Sequence, residues 1–112
     1  MKSSGTGKLL RIFVDERDRW RGQPLYTAII DLLRNERLSG ATVFRGVEGF
    51  GSHRELHQAH LFSLMPNLPI LIEAVDTEER IQAVLPLVER MVGEGLITLE
   101  RVEFFRYMRD ES

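Results

Sequence analysis

The order in which the apolar residues switch between strand-like and helix-like spacing constrains the fold of this chain more than any other feature. Leu10, Ile12 and Val14 alternate within the β-branched, aromatic-rich run at residues 9–14, which predicts a strand. A charged loop containing Trp20 follows. Pro24 suits the first position of a helix, and Leu25, Ile29, Leu32 and Leu33 share one helical stripe that Ser39-Gly40 closes. Residues 41–50 return to strand character, and Pro69 opens another strand through Val75.

Asp76 and Glu79 have the spacing of a capping box before a second stripe of Ile81, Val84, Leu85, Val88, Met91 and Val92. Pro86 lies inside that stripe, where a missing backbone donor costs about 3 kcal/mol, so a kink or break is expected between Gln82 and Pro86. Gly93-Glu94-Gly95 forms a tight turn into a last strand over residues 96–107. There Ile97 and Leu99 share one parity while Val102 and Phe104 share the other, and a bulge near Glu100-Arg101 would account for the change. The order strand, helix, strand, strand, helix, strand predicts an α+β, ferredoxin-like βαββαβ fold: a four-stranded antiparallel sheet with both helices on one face. No further element remains to cover the other sheet face, so self-association is expected.

At 112 residues the chain fits one domain, expected over residues 8–108 with flexible tails at 1–7 and 109–112. A net charge of −2 gives no long-range pull toward nucleic acid or an anionic membrane, and neither is expected as a partner. The absence of cysteine removes disulfides, thiolate metal sites and thiol nucleophiles. The apolar runs are far shorter than the ~20 residues needed to cross a bilayer, and a cytoplasmic protein is expected.

The chemistry concentrates in Phe44-Arg45-Gly46-Val47-Glu48-Gly49-Phe50-Gly51, where three glycines interrupt a strand and lead into a polar segment. Interior glycines cost roughly 0.5–1 kcal/mol each and allow close approach to the backbone. They serve either to bend the strand or to expose main chain to a ligand. His53, His57 and His60 lie at spacings that could close a metal site on a helix, though Glu55 is the only carboxylate among them; loop protonation is the other use of such histidines. Trp20, among Arg17, Asp18, Arg19 and Arg21, either stacks on a base, caps a neighbouring subunit or covers its own domain edge. Glu73, Asp76, Glu78 and Glu79 read as a helix N-terminus matched to its dipole rather than as a catalytic acid and base. No residue stands out as a nucleophile, and no enzyme is expected.

The loop base Arg45-Gly46-Val47-Glu48-Gly49-Phe50-Gly51 and the turn Gly93-Glu94-Gly95-Leu96-Ile97 resemble those of the nitrogen-regulatory PII proteins. Within that superfamily the span from Leu10 to Tyr107, with Gly22-Gln23-Pro24-Leu25-Tyr26, Gly40-Ala41-Thr42-Val43 and Leu68-Pro69, is similar to the domain of unknown function 190 family. The resemblance implies a homotrimer, with lateral clefts binding a small effector, an adenine nucleotide in classical members. It implies no required cofactor, and a long loop that docks on a protein target such as a channel, transporter or enzyme. Carried onto this chain, the ligand positions are Arg45, Gly46, Gly49, Phe50, Gly51, Gly93, Glu94 and Gly95, and the partner loop includes Ser52, His53, Arg54 and His57. Ser52 and Leu96 stand where classical members have cations, which weakens the case for a triphosphate. The alternative is a divalent-metal-binding trimer, akin in shape to divalent-cation-tolerance proteins, using His53, His57 and His60.

Overall fold

A computed structural model of the chain describes residues 1–51 and 67–110, and the backbone of residues 57–58. Its elements are β1 (Lys2–Asp15), β2 (Arg19–Trp20), β3 (Gln23–Pro24), α1 (Leu25–Asn35), β4 (Thr42–Arg45), β5 (Glu48–Gly49), β6 (His57–Gln58), β7 (Pro69–Thr77), α2 (Glu78–Met91) and β8 (Leu96–Tyr107). Four strands form one antiparallel sheet in the order β4-β7-β1-β8, as the ferredoxin-like reading expects.

The alternation of β1 decides what the sheet buries. Leu10, Ile12 and Val14 are buried beneath the helices together with Ile70, Ile72 and Ala74 of β7. Their partners are Leu25, Ile29 and Leu33 of α1 and Ile81, Val84 and Val88 of α2. Burying a side chain of this size contributes roughly 1.5–3 kcal/mol, so these two rows and two stripes carry most of the fold.

The opposite parity lies on the sheet face that neither α1 nor α2 covers. The register places Phe44, Leu71, Phe13 and Leu96 side by side across all four strands. The next row is Thr42, Glu73, Arg11 and Thr98, where Arg11 Nε donates to Glu73 Oε2 at 2.7 Å and Arg11 Nη1 lies 3.8 Å from Glu100 Oε2. The pairing with Glu73 raises the Arg11 pKa, against a smaller opposing effect of burial.

Several expectations change. Of the residues expected as a flexible tail at 1–7, residues 2–7 belong to β1, whose pairing with β8 begins at Lys2↔Tyr107, and Met108 N donates to Met1 O at 2.7 Å. No bulge interrupts β8: its register runs continuously from Leu96 to Tyr107. The parity switch has another cause. Ile97 and Leu99 line the groove beside α2, whereas Phe104, of the opposite parity, covers Gly5 and Gly7, whose missing Cβ atoms would sit 3.3 and 3.1 Å from its ring. Gly7 has a second reason to lack a side chain, since a Cβ there would lie 2.1 Å from Asp76 O.

Both helices also differ at their ends. Helix α1 stops at Asn35, because Arg37 takes φ 64° and Leu38 N bonds back to Leu33 O while Arg37 N bonds to Arg34 O. These two bonds make a Schellman motif with arginine where glycine is usual. Helix α2 is capped by Thr77, whose side chain accepts from Arg80 N at 3.3 Å, not by Asp76. It continues through Pro86 to Met91 without a break.

Candidate functional site

Residues 41–50 do not form one strand. Strand β4 ends at Arg45, Gly46 N donates to Pro69 O at 2.8 Å, and β5 then leaves the main sheet to pair with β6 through Glu48↔Gln58 and Gly49↔His57. The three glycines behave differently. A Cβ at Gly46 would lie 2.7 Å from Pro69 Cγ, which makes glycine a packing requirement there, while one at Gly49 would lie 3.1 Å from it, a tight fit against the same ring. A Cβ at Gly51 would meet none of the described residues within 4 Å, and none of the three takes a positive φ. Phe50, 67% exposed, and Phe44, 48% exposed, stand close to this bend in sequence without being buried.

The Gly93-Glu94-Gly95 turn divides in the same way. A Cβ at Gly95 would sit 2.5 Å from Phe13 O, which makes glycine a packing requirement, whereas Gly93 has open space. The turn opens on a groove of about 810 Å³ between α2 and β8, with Leu85, Val92, Ile97 and Leu99 as its apolar lining and Glu89 and Glu94 among its polar lining. Asp18 lies near enough for Glu94 to act on it: burial raises the Asp18 carboxyl above its ordinary value, the backbone bond at Asp15 opposes this, and the charges of Asp15 and Glu94 add to the rise. A phosphate at this turn therefore meets negative charge.

The two glycine segments sit at one end of the sheet, since Arg45, Pro69, Asp15 and Leu96 are the strand ends that converge there. They occupy opposite edges, however, separated by three inter-strand spacings or about 14 Å. One chain does not bring them together.

Sequence reasoning missed one side chain at this end of the sheet, Glu16, and misjudged the role of another, Asp76, at the far end of β7. Glu16 Oε2 pairs with Arg45, Glu16 Oε1 accepts from Leu68 N at 3.2 Å, and Glu16 N donates to Leu68 O at 2.9 Å. Asp76, only 1% exposed, accepts from Ser39 N and Thr77 N at 2.8 Å each. Burial pushes its carboxyl up, but those bonds, the Ser39 hydroxyl and Arg80 outweigh it and hold Asp76 below the usual carboxylate range. Glu16 carried no sequence signal, because its partners are distant in the chain, and the helix-start signal at Asp76 did not show that Ser39 would turn it inward.

Other candidates resolve plainly. Trp20 packs against the chain's own core beneath Arg21, 4.9 Å from its ring, at a two-residue hairpin where Arg21 and Gly22 both take positive φ. Glu73 belongs to the open sheet face and Asp76 is a buried brace, which leaves Glu78 and Glu79 in the first turn of α2. Ser52, His53, Arg54, His60 and the side chain of His57 lie outside the described residues. Among the described residues no cluster of His, Asp or Glu is arranged to hold a metal ion, and no helix is long and apolar enough to cross a membrane.

The DUF190 family, described as "Uncharacterized ACR", matches residues 7–104. This chain belongs to the DUF190 family. A UPF0166 protein of Aquifex aeolicus is 42% identical over 98 residues, covering 86% of this chain and 90% of the relative. A UPF0166 protein of Methanocaldococcus jannaschii is 42% identical over 93 residues, covering 82% and 85%. In fold, this DUF190 protein is similar to CPII of Thiomonas intermedia K12, a nitrogen regulatory PII-like protein whose structure holds ADP, AMP and bicarbonate. The TM-score is 0.60 at 22% identity, over 91% of each chain. The PII-like fold expected from the two glycine segments is thus present.

Proposed function

We propose that this DUF190 protein is a regulatory protein that works as a homotrimer, binds a small effector between subunits and acts on a protein target through residues 51–64. An adenine nucleotide is the leading effector, and no catalysis is involved. The observation that carries the reading is the placement of both glycine segments at one end of the sheet on opposite edges. A head-to-tail ring sets one chain's β4 edge beside its neighbour's β8 edge, and rotation about an axis along the strands keeps the two segments level.

Gly51 and Gly93, with no described atom near their Cβ positions, are the places where a second molecule can approach bare backbone. The uncovered row of Phe44, Leu71, Phe13 and Leu96 supports the assembly, because an apolar sheet face of this extent is stabilised when copies cover it. The acidic surroundings of the Glu94 turn favour placing a phosphate at the glycine base beside Arg45, with the less charged part of the ligand toward the turn. The nucleotides and bicarbonate held by CPII make the same chemistry the first to test.

Regulation then follows from linkage: an effector that touches two subunits favours whichever arrangement of residues 51–64 it binds better. Calorimetric titration with AMP, ADP, ATP, cyclic AMP and bicarbonate tests the reading. Saturable heat from at least one of them is expected, and silence from all five with a folded trimer removes it.

A further inference from the structure

We infer that Glu16 sets the affinity of this site for anions by competing with the ligand for Arg45. The inference rests on the reading of the glycine base as an effector site and adds its control. Glu16 is the hub of a small bond network. Its carboxylate takes Arg45 with one oxygen and the Leu68 amide with the other, and its own amide donates to Leu68 O.

Arg45 and Leu68 bracket residues 46–67, so a single side chain ties both roots of that segment to the end of β1. Arg17 N to Asn67 Oδ1 at 3.3 Å and Gly46 N to Pro69 O at 2.8 Å lie beside the same junction.

The pair is asymmetric. The Glu16 side chain is 16% exposed and Arg45 is 51% exposed, so Arg45 can swing toward a ligand while Glu16 stays in place. While paired, the guanidinium's charge is offset by Glu16, so an approaching phosphate meets little net positive charge. An anion that captures Arg45 leaves Glu16 with only its backbone partners, which loosens the brace on Leu68. Anion binding and release of the segment's roots are thereby coupled, each opposing the state in which Glu16 holds Arg45.

Glu16→Gln separates the two roles, since the amide oxygen still accepts from Leu68 N but no longer neutralises Arg45. Binding of ADP and of inorganic pyrophosphate is measured by calorimetry on the wild type, Glu16→Gln, Arg45→Gln and the double variant, with folding checked by circular dichroism. Glu16→Gln is expected to bind both probes roughly two- to fivefold more tightly, as befits loss of a partly exposed ion pair. That gain should vanish when Arg45 is also replaced. In the wild type, saturating ADP should accelerate hydrogen exchange at the Leu68 amide, a readout that needs no variant.

Equal or weaker binding by Glu16→Gln overturns the inference, as does a gain that persists without Arg45 or unchanged Leu68 exchange in the wild type. In each of those cases the wild type still binds, and the effector reading stands. Failure of both probes to bind any of the four proteins overturns the nucleotide reading together with this inference.

Discussion

Replacing Asp76 with asparagine should destabilise the protein by an amount set by one buried hydrogen bond. The carboxylate is 1% exposed and accepts two backbone amides at 2.8 Å, from Ser39 and from Thr77. Asparagine retains one oxygen, so one amide faces an NH2 group and loses its acceptor. A hydrogen bond to a charged group contributes about 1.5–3 kcal/mol, and a buried donor left without a partner costs a similar amount. The expected loss at neutral pH is therefore about 2–3 kcal/mol, or roughly 5–15 °C in Tm for a chain of this size.

The pH dependence gives the sign. The folded Asp76 carboxyl lies below its ordinary 3.8, so its stabilisation is complete above that value and lost as pH falls through the folded pKa. The gap between wild type and Asp76→Asn should thus be full at pH 7 and shrink below about pH 3.8. Urea unfolding at fixed protein concentration, at pH 7 and across the acid range, measures it. A difference under about 0.5 kcal/mol at pH 7, or one that does not narrow in acid, refutes the reasoning about this bond set.

Two further variants test the site and the open sheet face. Gly95→Ala places a methyl 2.5 Å from Phe13 O and should cost about 1–3 kcal/mol in thermal or urea unfolding while weakening effector binding; Gly93→Ala, with open space, should leave stability nearly unchanged. Phe13→Lys puts a charge in the middle of the exposed row Phe44, Leu71, Phe13 and Leu96 and should shift the proposed trimer to monomers in sedimentation experiments without loss of helix signal.

The fold was legible because its core obeys simple periods. Leu10, Ile12 and Val14 alternate, and Ile81, Val84 and Val88 recur at helical spacing, so faces could be assigned before any contact was known. Errors arose where a long-range partner overrode a local signal. Asp76 has the composition and spacing of an N-cap, yet the pull of Ser39 turns it inward and leaves the cap to Thr77. The parity change in β8 looked like a bulge because the role of Phe104 as a cover for Gly5 and Gly7 depends on a strand almost a hundred residues away.

The site was legible in part. The two glycine segments were visible as motifs, but sequence could not separate glycines needed for packing (Gly46, Gly95) from the tightly fitted Gly49 and from those with no described atom near their Cβ positions (Gly51, Gly93). Nor could it reveal Glu16, one of several alternating charges whose partners, Arg45 and Leu68, are brought to it only by the sheet.

Native mass spectrometry of the protein with and without ADP tests the central claim most directly. A trimer that takes up to one ADP per chain, and loses that uptake when Phe13→Lys separates the subunits, is the predicted result. A monomer, or a nucleotide retained with equal affinity by isolated chains, would contradict a pocket formed from two subunits.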